Sequence, residues 1–157
     1  KVVIVGPKSR RSVAVEKVPL GPGKTCLAKG ELIESITLPK PAPRTGDAYL
    51  RFIPRTEMDI AVVGVAICVT LERGVIKTAR VALGAVAPTA VLVPAAARAV
   101  VGSKLDDAAL DKLAQACSAA CNPIDDKRGT IEYRVRLAGV LAKRAAKIAF
   151  NRAGGKS

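Results

Sequence analysis

The feature that most constrains this chain is a change of hydrophobic period near its middle. Ile60 to Leu71 is apolar on both faces, Glu72-Arg73-Gly74 supplies a tight turn, and Val75 to Val86 returns as a second extended run. The first of these runs reads as a central strand covered on both sides. Ala87-Pro88 breaks the second run, and Ala90 to Val93 adds a short strand. After Pro94 the apolar spacing becomes three to four. Pro94 opens a helix that runs to about Val101 and closes at Gly102. Asp106 and Asp107 mark the start of a second helix, which reaches Cys121 before Asn122-Pro123. Thr130 caps a third, with Ile131, Val135, Ala138, Leu141, Ala145 and Ile148 forming one stripe and Arg136, Lys143 and Lys147 opposite. Strands first and helices last specify an α+β fold: an antiparallel sheet of three to four main strands with three C-terminal helices packed on one face.

Upstream, the chain opens into Val2-Val3-Ile4-Val5, a Gly6-Pro7 turn and Ser12-Val13-Ala14-Val15, which reads as a hairpin from a larger sheet. Leu20 to Thr25 is a Pro/Gly-rich connection. Strands are expected at Leu32 to Leu38 and Ala48 to Ile53, separated by a Pro/Arg-rich loop through Asp47.

Composition narrows the chemistry. Hydrophobic residues make up 50% of the chain and aromatics only 3%, so the core is built from Val, Ala, Leu and Ile. Without histidine the chain holds neither a Ser-His-Asp triad nor a His-containing zinc site. The four cysteines, at 26, 68, 117 and 121, lack paired C-x-x-C spacing and read as core thiols of a reducing, cytoplasmic compartment. No signal peptide or membrane-spanning run is evident. The net charge of +13 is concentrated at the ends: residues 1–55 carry 11 Lys/Arg against 4 Asp/Glu, and residues 127–157 carry 9 against 1. Such ends suit nucleic acid, a membrane surface or an acidic partner, and equally a solvated basic surface.

Three patterns invite chemistry and are met by plainer readings. Gly21-Pro22-Gly23-Lys24-Thr25 ends like a phosphate-binding loop, but Val18 stands where the first glycine belongs and a strand follows instead of a helix. The glycines serve a turn better. The basic face of the third helix lacks the aromatic interleaving that a base-stacking platform requires. Asp125-Asp126, beside Lys127 and Arg128, reads as helix-dipole and cap chemistry with no nucleophile or base alongside.

Six blocks occur in a telling order: Gly21-Pro22-Gly23-Lys24-Thr25, Gly30-Glu31-Leu32-Ile33, Tyr49-Leu50-Arg51-Phe52, Met58-Asp59-Ile60-Ala61-Val62-Val63, Leu83-Gly84-Ala85-Val86-Ala87-Pro88-Thr89, and the run from Asp125 to Arg134. In order and spacing the chain resembles the C-terminal part of the flavoprotein (medium) subunit of molybdenum hydroxylases, the carbon monoxide dehydrogenase and xanthine dehydrogenase family. The resemblance implies residues 1–25 as the closing hairpin and linker of a truncated FAD-binding domain, 26–152 as the C-terminal domain, and 153–157 as a tail. It implies FAD as cofactor, bound mainly by the missing N-terminal domain. It also implies a molybdopterin-containing large subunit and a 2Fe-2S small subunit as partners, and electron relay through FAD to an external acceptor.

By the same resemblance, Ile33 matches an apolar residue lying against the flavin ring, and Tyr49 an aromatic approaching it. Arg51 stands where a lysine is usual, keeping charge but not geometry. The Arg55–Asp59 loop flanks the pocket, and Asp59 leads into the next strand. Strand alternation places Tyr49, Arg51 and Ile53 on one face, so Tyr49 and Arg51 either project together toward a ligand or are a surface aromatic and an ion pair to a carboxylate such as Glu57. Val18-Pro19-Leu20 departs from the pair of aromatics common there in the family. The reading from another class is a stand-alone basic module that binds RNA or an acidic protein.

Overall fold

The computed structural model describes residues 1–55 and 59–155. They fall into two compact units, Lys1–Pro41 and Ala42–Ser157.

In the first unit β1 (Val2–Val5) pairs antiparallel with β2 (Arg10–Val13). A 3-10 turn (Val15–Lys17) leads to β3 (Pro19–Gly21) and β4 (Lys24–Thr25), which pair with each other. The Gly-Pro-Gly-Lys-Thr segment is therefore a small β-hairpin. Then comes β5 (Leu32–Ile36), which pairs with the free side of β1. Its apolar residues meet those of β1, Ile4 opposite Ile33 and Val2 opposite Ile36. Pro39 and Pro41 then interrupt the chain before the next strand. Arg11 of β2 forks onto Glu31, Nε to Oε1 at 2.9 Å and Nη2 to Oε2 at 2.8 Å, and also donates to the Cys26 carbonyl at 2.8 Å. This bidentate clamp ties the 26–31 turn to the sheet.

The second unit is a four-stranded antiparallel sheet in the order β6-β7-β8-β9 (Thr45–Phe52, Val63–Glu72, Val75–Gly84, Val91–Leu92). It is followed by α1 (Pro94–Val100), α2 (Asp107–Ala119) and α3 (Ile131–Arg152). This is the α+β class that the period change predicts. The β7–β8 turn has positive φ at Arg73 (52°) and Gly74 (80°), matching the twist of a two-residue hairpin. Val63, Val65, Ile67, Val69 and Leu71 of β7 are buried, while Ala66, Cys68 and Thr70 between them are half-buried. The strand is central, as predicted, but its two faces are not equally covered.

The caps follow the sequence: Asp106 accepts from the Ala109 amide at 2.8 Å, and Thr130 from the Tyr133 amide at 3.2 Å. The inner line of α3 follows it in part: Ala138, Leu141 and Ala145 are buried as expected, but the first turn differs. Ile131, expected to begin the apolar stripe, is 48% exposed, whereas Arg134 is 3% exposed. The buried line runs from Arg134 to Phe150 and between them is mostly small: Ala138, Gly139, Ala142, Ala145, Ala146 and Ala149, with Leu141 the larger exception. These small side chains let α3 lie close on the sheet. A side chain at Gly46 would collide with the backbone of Ala149 and Ala153. On α2, Leu110, Leu113 and Cys117 are buried, as their spacing predicts, and burial pushes the Cys117 thiol up to about 12.

Candidate functional site

Strand alternation divides β6. Gly46 and Ala48 are buried, while Asp47, Tyr49 and Arg51 are exposed on the other face. Tyr49 is 62% exposed. Its ring leans over β7: the position a Cβ would occupy on Gly64 is 2.9 Å from the tyrosine hydroxyl. Register places Tyr49 opposite Ala66 and Arg51 opposite Gly64; across β7, Gly64 faces Gly84 and Ala66 faces Ala82. An aromatic and a cation thus stand at the rim of a patch of glycine and alanine. Among the described residues Arg51 has no ion pair; Glu57, the carboxylate weighed as its partner, lies outside them, as do Thr56 and Met58 of the predicted pocket-flanking loop.

Ile33 sits on β5 of the first unit and is 40% exposed. Asp59 follows a different logic from Tyr49 and Arg51. Its carboxylate, 5% exposed, is held by Arg55 (3.3 Å) and Arg128 (3.3 Å). Burial pushes its pKa upward, but the bonds from Arg128, Arg55 and the Ile60 amide prevail and hold it below the ordinary carboxylate range.

Arg128 also approaches Asp126 at 3.8 Å, and Asp126 receives Arg134 at 2.7 Å and the Arg128 amide at 2.8 Å. The Arg128 amide and the Arg134 guanidinium hold the Asp126 carboxyl below its usual range. Arg134 also donates to the Val62 carbonyl (2.8 Å), the Gly129 carbonyl (3.3 Å) and the Ala85 carbonyl (3.4 Å). The result is a charged chain, Arg55–Asp59–Arg128–Asp126–Arg134, leading from an exposed loop end to the interior. Asp126 does not cap α3, because Thr130 does. Sequence reading missed Arg134. The available signal was an arginine one helical turn before Ala138, following an Asp-Asp-Lys-Arg turn.

The network fixes the start of β7 behind the face that bears Tyr49 and Arg51. An exposed aromatic and a cation thus stand beside a glycine and alanine patch on one sheet face of an α+β domain whose other sheet face is buried. The chain belongs to the CO dehydrogenase flavoprotein C-terminal domain family, whose profile matches residues 48–149. Over 150 residues it is 35% identical to the carbon monoxide dehydrogenase medium chain of Afipia carboxidovorans, covering 96% of this chain and 52% of that one. It is 27% identical over 157 residues to the xanthine dehydrogenase FAD-binding subunit of Escherichia coli, covering 99% and 54% respectively. The reconstituted CO dehydrogenase from Oligotropha carboxidovorans superimposes with a TM-score of 0.91 at 33% identity, over 96% of this chain and 52% of that one. The chain therefore spans about half the length of the relatives it matches. No helix among the described residues is long and apolar enough to cross a membrane.

Proposed function

We propose that this chain is the C-terminal portion of a flavoprotein subunit that relays electrons through FAD from a molybdenum and iron–sulfur hydroxylase to an external acceptor. On this reading residues 1–25 close a FAD-binding domain that holds most of the cofactor, and the open face of β6 walls the isoalloxazine ring. Ile33, Tyr49, Arg51 and Asp59 are the cofactor-side residues, and the Arg55–Asp59 loop flanks the pocket. A molybdopterin-containing large subunit and a 2Fe-2S small subunit are the partners, docked in the cytoplasm.

The observation that carries this reading is the joint exposure of Tyr49 and Arg51 on one face of a family-matched strand. Beyond Gly64, which the Tyr49 ring covers, Ala66, Ala82 and Gly84 form a patch from which nothing larger than a methyl group rises, and this suits a flat ring. FAD, when bound, accepts and returns the electrons. Tyr49 supplies an apolar surface that excludes water from one side. Arg51 supplies fixed positive charge that favours an electron-rich ring. Asp59, locked between two arginines, keeps the loop end in place.

The alternative of a stand-alone nucleic-acid module is not favoured by the family membership. Tyr133 of α3, moreover, is engaged with Phe52 at 6.3 Å between ring centroids and is not presented as a stacking platform. In the full-length flavoprotein, Tyr49→Ala is expected to alter the flavin absorption envelope and its reoxidation rate. A spectrum and rate identical to wild type overturns the assignment of this face.

A further inference from the structure

We propose that the outer edge of β8 at residues 77–80, beside α1, receives an extended acidic segment of another protein as an added strand. Three independent features meet there.

The first is a gap in backbone pairing. β9 covers only Ala82 and Leu83 of β8. The Val81 carbonyl then accepts from the Val93 amide at 2.9 Å. At the other end Ile76 donates to the Ser103 carbonyl at 3.0 Å and accepts from the Gly102 amide at 2.8 Å. Between these fastenings Thr78 and Arg80 turn their backbone groups inward to β7, and no outer backbone partner is described for Lys77 or Ala79. Val81 and Leu83 use their outward groups on 93 and β9, so alternation turns the Ala79 amide and carbonyl to the same side. An open edge of this kind is a template for strand addition.

The second feature is a cavity of about 420 Å³ along the gap. Its apolar lining includes Ala79, Leu92, Ala97 and Val101, of which Leu92 is 37% and Val101 45% exposed. It has room for the side chains of a short strand.

The third is charge. Lys77 is already paired with Glu72 at 2.8 Å. Arg80 and Arg98 also line the cavity, and neither has a carboxylate partner among the described residues. Arg80 alternates with buried Val81 and so stands on the sheet face opposite the helices, whereas Arg98 belongs to α1. An added strand presents successive side chains to the two faces, so adjacent carboxylates meet one arginine each. Charge also decides between occupants. With a net +13, and both chain ends strongly basic, neither a second copy nor the chain's own termini complement this edge.

The test uses a fluorescein-labelled peptide, Thr-Val-Glu-Glu-Val-Thr, with anisotropy as the readout. Three comparisons accompany it: a Gln-Gln peptide, a peptide N-methylated at the central residues, and the variants Arg80→Glu and Arg98→Glu. Roughly tenfold weaker binding is expected for the Gln-Gln peptide and for each charge reversal. N-methylation should abolish binding, and hydrogen exchange at the Ala79 amide should slow when the acidic peptide is present. Equal affinity for the Gln-Gln or N-methylated peptide, or unaltered exchange at Ala79, overturns the proposal. Octanoate binding at the cavity with no peptide binding overturns it too, and makes the site a small-anion pocket.

Discussion

The guanidinium of Arg134 donates to the carbonyl of Val62 at 2.8 Å, joining positions 72 residues apart in the chain. Val62 also donates its amide to the Phe52 carbonyl at 2.9 Å, closing the β6–β7 connection. One side chain therefore holds the start of the central strand against the first turn of the last helix. Arg134→Leu leaves Asp126 and several carbonyls without their donor, and should cost about 3 kcal/mol. Arg134→Lys keeps the charge but loses the fork, so its loss should be intermediate. Urea denaturation of the two variants checks the order.

Close approach of α3 to β6 makes Gly46 intolerant of a side chain. Gly46→Ala has to push the helix away from the sheet, since backbone and not a flexible side chain blocks the space. The expected loss is about 3 kcal/mol. An equivalent substitution at Gly84, the last residue of β8, where nothing lies within 4 Å, should cost far less.

A methyl group at Gly64 meets the Tyr49 hydroxyl end instead of backbone. Gly64→Ala should therefore fold normally while displacing the tyrosine ring, visible as a changed near-ultraviolet tyrosine signal. On the proposed flavin-facing reading it should also perturb flavin reoxidation in the same direction as Tyr49→Ala, and more weakly. Loss of folding in Gly64→Ala would show that the ring cannot move aside.

Acid sensitivity in the first unit follows from Glu31. Its bonds from Arg11, then from the Ala28 amide, lower its pKa from 4.5 to about 2. The folded form thus prefers the ionised carboxylate. The stabilisation is complete above about pH 4.5 and disappears as pH falls toward 2. Arg11→Met should return the Glu31 carboxyl toward its ordinary range, read by carbon-detected NMR titration. Glu31→Gln should flatten the acid limb of stability between those pH values.

Most of the framework was legible because it is written in local signals. Thr130 and Asp106 cap where they stand, Pro94 opens α1, and Glu72-Arg73-Gly74 reverses the chain. What escaped is long-range. Nothing near Leu32 reveals that β5 pairs backward with β1, since pairing partners are chosen by register and not by proximity in sequence. The first turn of the α3 stripe was misplaced because Ile131 is more apolar than Arg134. A hydropathy pattern assigns the larger apolar residue to the interior, but four oxygen acceptors were waiting for the arginine. The site was half legible. Alternation exposed Tyr49 and Arg51, while the tether on Asp59 required Arg128, which is 69 positions away.

The alanine-lined interior of α3 has a mechanical consequence. Between its ends such a helix presents few protruding knobs, Leu141 being the main one, so much of the resistance to sliding along its own axis lies near its termini: buried Phe150, and two polar bolts, Arg134 on the Val62 carbonyl near the start and Arg152 on the Asp47 carbonyl at 2.8 Å near the end. Because the far bolt lands two residues before Tyr49, any axial creep of the rod would drag directly on the strand that carries the exposed tyrosine.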